Sequence, residues 1–143
     1  MQHRYIGRVL LRILSSFIKQ ERCDDNMRNK RSIGSNYEKI AGEYLEKQGY
    51  QIVEYNFYSR FGEIDIIARH QGYLVFVEVK YRENDKSGHP LEAVSVSKQR
   101  TISKCAFYYL QKHKVQEESV RFDVVGILGD KIQVVQNAFD FVM

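Results

Sequence analysis

The chain has 143 residues and no run of about 18 apolar ones, so nothing in it reads as a membrane-crossing helix. Cysteine is scarce. Cys23 and Cys105 are too few for a disulfide framework, and Cys105 falls at an apolar helical position where it reads as a small core residue. A reducing, cytoplasmic setting fits that usage. The histidines His3, His70, His89 and His113 show no metal-ligand spacing. The tyrosines are scattered and form no stacking platform. No internal repeat and no low-complexity segment occurs.

A charge surplus is missing from most of the chain as well. Residues 1–36 hold 8 Lys/Arg against 3 Asp/Glu, whereas residues 37–143 hold 14 against 15. The net +4 therefore belongs to the N-terminal arm. A near-neutral body excludes strong, non-specific nucleic-acid binding over its whole surface, and any such binding needs a local patch or the arm.

What is present divides into two parts: an extension and linker over residues 1–33, and a domain over 34–143. In the extension, Ile6, Val9, Leu10, Ile13, Leu14, Phe17 and Ile18 recur at helical spacing, with Arg4, Arg8 and Arg12 on another side. This predicts a basic amphipathic helix fit for an anionic membrane surface or a partner. The arginines interrupt the apolar run and no small-residue cleavage site follows, which argues against a signal peptide. Translation starting at Met27 would remove this helix and leave the domain whole, so the extension need not be native.

The domain predicts helix, three strands, helix, two strands, an α/β fold of order α-β-β-β-α-β-β. Ser35-Asn36 is an expected helix N-cap, Ile40, Ala41, Tyr44 and Leu45 make an apolar face, and Gly49 is a stop. Strands are expected at 51–58, 63–69 and 73–81, a helix at 95–113, and a closing hairpin, 121–128 with 131–136, around Gly129-Asp130. Ile102, Cys105, Ala106, Tyr109 and Leu110 share one side of the second helix.

A two-residue turn at Gln71-Gly72 pairs residues whose numbers sum to 143. Ile64, Ile66 and Ala68 then face Val79, Val77 and Val75 across one wholly apolar surface. The same register sets Asp65 across from Glu78, with Lys80 on the same face. Opposed residues hold their Cβ atoms roughly 4.5–5.5 Å apart, so two carboxylates there repel and need compensation. Hard carboxylate oxygens suit Mg²⁺ or Mn²⁺. A metal held by two acids, with a lysine beside it, is the chemistry of phosphodiester hydrolysis. Alternating Asp, Glu and Lys on a strand ordinarily mark a solvated face. Here Ile67, Leu74 and Phe76 share the face, in the most hydrophobic stretch of the chain, where charge is least expected. Glu38 lies at the edge of the first helix's apolar face, and the basic helix start Lys98-Gln99-Arg100 is placed to contact phosphate.

With these residues in view the chain resembles the YraN family of small bacterial proteins over about residues 34–127. That family is similar to archaeal Holliday-junction resolvases within the PD-(D/E)XK nuclease superfamily. The motifs are Gly62-Glu63-Ile64-Asp65 and Phe76-Val77-Glu78-Val79-Lys80, with supporting matches at Tyr37-Glu38, Gly49-Tyr50, Asn56, Lys98-Gln99-Arg100 and Arg121-Phe122-Asp123. The resemblance implies a restriction-endonuclease-like sandwich, a central mixed sheet flanked by helices. It implies metal-binding roles for Asp65, Glu78 and Glu38, the superfamily lysine at Lys80, and a polar contribution from Gln99. It further implies a Mg²⁺- or Mn²⁺-dependent endonuclease on DNA, branched or structured, or a nucleic-acid-binding or scaffolding protein that keeps the fold without turnover. Symmetric cutting of two strands would favour a two-fold homodimer. Tyr58 stands where the family pattern has a basic residue.

Overall fold

A computed structural model describes residues 33–88, 90 and 94–143 of the chain. The basic helix expected before residue 19, Cys23 and the start at Met27 lie outside them. The elements are α1 (33–47), β1 (Gln51–Ser59), β2 (Gly62–His70), β3 (Tyr73–Arg82), a 3₁₀ turn (Asp85–Ser87), α2 (Val96–Lys112), β4 (Ser119–Leu128) and β5 (Lys131–Val135). The order is α-β-β-β-α-β-β, as the sequence predicts, and the fold is that of restriction-endonuclease-like proteins. Among the described residues no helix is long and apolar enough to cross a membrane.

The five strands form one sheet in the order β1-β2-β3-β4-β5. β1, β2 and β3 run as an antiparallel meander, β4 is parallel to β3, and β5 is antiparallel to β4. The parallel step needs a crossover, which α2 supplies.

Alternation along the strands sends side chains to opposite faces. Ile66, Ala68, Val75, Val77, Val125 and Ile127 pack with Ala41 and Leu45 of α1. Ile67, Leu74, Phe76 and Phe122 pack with Ile102, Cys105, Ala106 and Tyr109 of α2. Each helix therefore buries its apolar stripe on its own side of the sheet. Cys105 is a fully buried core residue, as expected.

The helix ends follow local chemistry. The described part of α1 already contains Ser35-Asn36, so the expected cap lies inside the helix. It ends as predicted at Gly49, whose φ of 90° suits glycine. Gly49 N–H donates to the Glu46 carbonyl and Tyr50 N–H to that of Leu45, closing the last turn. α2 starts at Ser95, whose hydroxyl accepts from the Lys98 N–H.

The sum-143 register holds from His70↔Tyr73 to Ile66↔Val77 and ends there, one step short of Asp65 and Glu78. The break has a local cause. Asn56 has a positive φ of 55°, a conformation that asparagine tolerates better than most residues. On its N-terminal side Tyr55 turns to α1, where a Cβ on Gly42 would overlap its hydroxyl. On its C-terminal side Phe57 turns to α2 and meets Tyr109 edge-on at 5.0 Å. The neighbouring strand makes the same half-turn. Ile66 packs on the α1 side, and Ile64 packs on the α2 side rather than with Ile66 and Ala68 as the alternation predicted. The ladder pairs Tyr55↔Ile66 and Phe57↔Ile64, so Asn56 and Asp65 lie between them at the reversal.

Gly62 opens β2 with φ 144°, and a Cβ there would stand 2.8 Å from Thr101 Cγ2 of α2. Gly62→Ala is expected to cost about 1–3 kcal/mol through backbone strain and the push on α2. A urea unfolding curve checks this; an unchanged midpoint would show that the approach of turn and helix tolerates a methyl group.

Candidate active site

The half-turn at Asp65 decides what its carboxylate can reach. Oδ2 accepts a 2.7 Å hydrogen bond from the Val79 N–H. This bond explains why the hairpin ladder stops there: a side-chain oxygen occupies a strand donor. Glu78, next in chain to Val79, projects to the α2 side and is 3% exposed. Its Oε1 lies 2.8 Å from Lys80 Nζ. Its Oε2 lies 3.2 Å from Lys98 Nζ, in the first turn of α2. The second contact is an ion pair without hydrogen-bond alignment, and Oε2 is buried with no hydrogen-bond partner.

Burial, and then the charge of Glu78, push the Asp65 carboxyl up from 3.8 to about 7, against the pull of the Val79 N–H and of Lys98. Glu38 of α1 adds to the upward push, so its charge is felt from the other side of the half-turn. Glu38 Oε2 is also buried without a hydrogen-bond partner. Burial of Lys98 opposes its charge, yet Glu78 and Asp65 together hold its ammonium above the ordinary lysine range.

Glu78 pairs with Lys80 and acts on Asp65, and Glu38 acts on Asp65 through its charge. Gln99 is not in contact with these side chains. Its amide donates 2.9 Å to the Val94 carbonyl and fastens the start of α2 instead. Lys98, one residue earlier, is the side chain that reaches the acids. Sequence reading marked the Lys98-Gln99-Arg100 segment for a phosphate contact and Gln99 for a polar contribution, and did not foresee the ion pair of Lys98 with Glu78. The missing signal was helical phase: the Ser95 cap fixes which side of the first turn faces β3.

The donor set fits a hard divalent cation. Three carboxylates interact in a partly dehydrated place, and two of their oxygens lack hydrogen bonds. Among the described residues no three His, Cys, Asp or Glu side chains converge into a ready-made cage. Mg²⁺-type binding, in which one or two carboxylates share the ion with water and substrate phosphate, does not need such a cage.

A family profile described as "Uncharacterised protein family UPF0102" matches residues 37–127, which include Glu38, Asp65, Glu78, Lys80, Lys98 and Gln99. A UPF0102 protein of Lachnoclostridium phytofermentans is 50% identical over 113 residues, covering 78% of this chain and 96% of the relative. One from Fusobacterium nucleatum is 44% identical over 109 residues, covering 76% and 92%. One from Coxiella burnetii is 46% identical over 110 residues, covering 76% and 92%. The profile spans most of the chain and these relatives are matched over nearly their whole length, so the chain belongs to the UPF0102 family, the family also called YraN.

Proposed function

We propose that the chain is a divalent-cation-dependent nuclease of the PD-(D/E)XK kind that hydrolyses phosphodiester bonds of DNA, with branched or structured DNA as its substrate class. One observation carries this reading: two dehydrated carboxylates, Asp65 and Glu78, are brought together at a break in a hydrophobic hairpin, flanked by two lysines. Structure alone gives no reason to place repelling acids there.

Asp65 and Glu78, with Glu38 behind them, would hold Mg²⁺ or Mn²⁺. Such an ion, once bound, neutralises a phosphoryl oxygen and makes water a better nucleophile near neutral pH. The chain's own residues do the rest. Asp65 is held in place by the Val79 N–H. Lys80 is about a quarter exposed and anchored on Glu78, so its ammonium can turn from that carboxylate towards an incoming phosphate or attacking water. Lys98 is placed in the same way on the other Glu78 oxygen. Gln99 acts by holding the α2 start on which Lys98 rides. A homodimer would set two such centres for paired cuts.

The double ion pair on Glu78 supports a second reading. The two lysines already neutralise that acid, as suits a nucleic-acid-binding or scaffolding protein without turnover. The test is cleavage of duplex, single-stranded and four-way-junction DNA with Mg²⁺ or Mn²⁺, beside a metal titration. Metal binding with cutting of at least one substrate, and a Lys80→Ala protein that binds metal but cuts at least about a hundredfold more slowly, is the expected result. Metal binding without cutting would favour the second reading. No metal binding would sink the nuclease assignment.

A further inference from the structure

The acids lie on the α2 side of the sheet, where α2 packs against β1, β2 and β3 and reaches β4 at Phe122. The register shows what continues the site's face beyond α2's cover. Lys80 pairs with Gly126 of β4, and Gly126 with Gln133 of β5. One step further, Arg82 pairs with Leu128, and Leu128 with Lys131. Directly paired residues share a face. The intervening residues Val79, Tyr81, Val125, Ile127, Ile132 and Val134 all pack on the α1 side, which confirms that these two rows share the face of Glu78. In the middle of the rows Gly126 contributes no side chain. A groove of about 230 Å³ lies there, lined by Gly126, Leu128, Lys131 and Gln133.

Lys131 lines the groove on β5, with Gln133 as a neutral donor. The ladder partners of Gly126 and Leu128 on β3 are Lys80 and Arg82, so the groove lies in the same rows as the lysine that anchors Glu78. The nearby acids Glu83 and Asp130 are exposed in the segments that follow β3 and β4 rather than in these rows. The volume is too small for a duplex and suits one strand. This is also the local basic patch that a near-neutral domain requires if it is to hold nucleic acid at all.

Resting on the nuclease reading, we propose that this groove is a substrate subsite. The sugar–phosphate backbone of one DNA strand runs along the exposed side of the groove, and the phosphate next to the scissile one is held by Lys131 and Gln133.

Lys131 and Gln133 are exposed, so Lys131→Glu and Lys131→Glu/Gln133→Glu keep the fold. Gly126→Val fills the groove as a second, independent block. The readout is the Kd for fluorescein-labelled four-way-junction and single-stranded DNA across a salt series, beside Mn²⁺ binding to each protein. Lys131→Glu is expected to weaken DNA binding about tenfold and to lower the log–log salt slope by roughly one, the signature of a lost phosphate contact. Mn²⁺ affinity is expected to stay the same, because the substituted side chains lie rows away from Asp65. Wild type binding DNA with all variants equal to it would overturn the groove and leave the nuclease reading standing. Lysine-dependent binding without cleavage would support the groove and count against the nuclease. No DNA binding by wild type would overturn both.

Discussion

Asp65→Asn is expected to abolish divalent-metal binding and cleavage while raising the melting temperature of the metal-free protein at pH 8. Loss of cleavage should reach about 10²-fold or more, the scale of removing one preorganised electrostatic contact from an active site. The stability gain follows from the raised carboxyl. Folded Asp65 keeps its proton up to about pH 7, while the unfolded chain releases it near 3.8. Between those values the folded state binds more protons than the unfolded one. Metal-free stability therefore falls as pH rises through that window, and the full cost is present above it. Asparagine carries no charge, so its curve should be flat there. It also keeps an oxygen for the Val79 N–H, which is 2.7 Å from Asp65 Oδ2. Alanine would not keep it. Asp65→Ala does remove one of the two repelling acids. The structure shows it would also orphan a strand donor at a cost of about 1–3 kcal/mol, masking the relief of repulsion. Thermal melts of both proteins in EDTA from pH 4 to 8 decide the matter. Parallel curves for wild type and Asp65→Asn would show that dehydration does not shape this carboxyl, and retained metal binding would remove Asp65 from the site.

Most of the sheet was legible in the sequence because its signals are local. Turn chemistry at Gln71-Gly72 set the register from His70↔Tyr73 to Ile66↔Val77, and alternation then assigned Ile66, Ala68, Val75 and Val77 to one face. Helical periodicity found Ile102, Cys105, Ala106 and Tyr109. The half-turn at Asn56 and Asp65 was not legible, because strict alternation has no place for one positive φ that reverses two strands together. It moved Ile64 across the sheet and replaced a ladder pair by the Asp65–Val79 bond. Lys98 was missed for a related reason. It lies 20 positions beyond Glu78 and meets it only through the packing of α2, which no spacing rule within one hairpin contains. The acids themselves were visible because two charges in the most apolar stretch of the chain are improbable without a function.

The other large effect lies on the α1 side of the sheet, where Asp123→Ala is expected to destabilise the domain by about 3–5 kcal/mol through an orphaned buried cation. Asp123 is completely buried. It accepts from Tyr50 Oη at 2.8 Å, from Arg121 Nε at 2.8 Å and Nη2 at 2.9 Å, and from the Asn137 N–H at 2.9 Å. Burial, followed by the bond and charge of Asp123, pushes the Tyr50 hydroxyl up to about 12, so it remains a donor. Arg121 Nη2 also lies 2.9 Å from His70 Nδ1. A guanidinium only donates, so Nδ1 is the acceptor in this contact. His70 in turn stacks on Tyr50 with ring centres 3.9 Å apart. One carboxylate thus ties the segment after α1, the end of β2, β4 and the chain after β5. Its loss leaves Arg121, 7% exposed, facing Tyr50 and His70 with no counter-charge. A fall in melting temperature of roughly 15 °C is expected for a domain of this size. The cause can be separated from lost packing by Arg121→Met/Asp123→Leu, which removes both charges and refills the volume. If an uncompensated cation is the main cost, the double variant should be markedly more stable than Asp123→Ala. If both melt alike, the hydrogen bonds to Tyr50 and Asn137 hold the corner together, and charge is secondary.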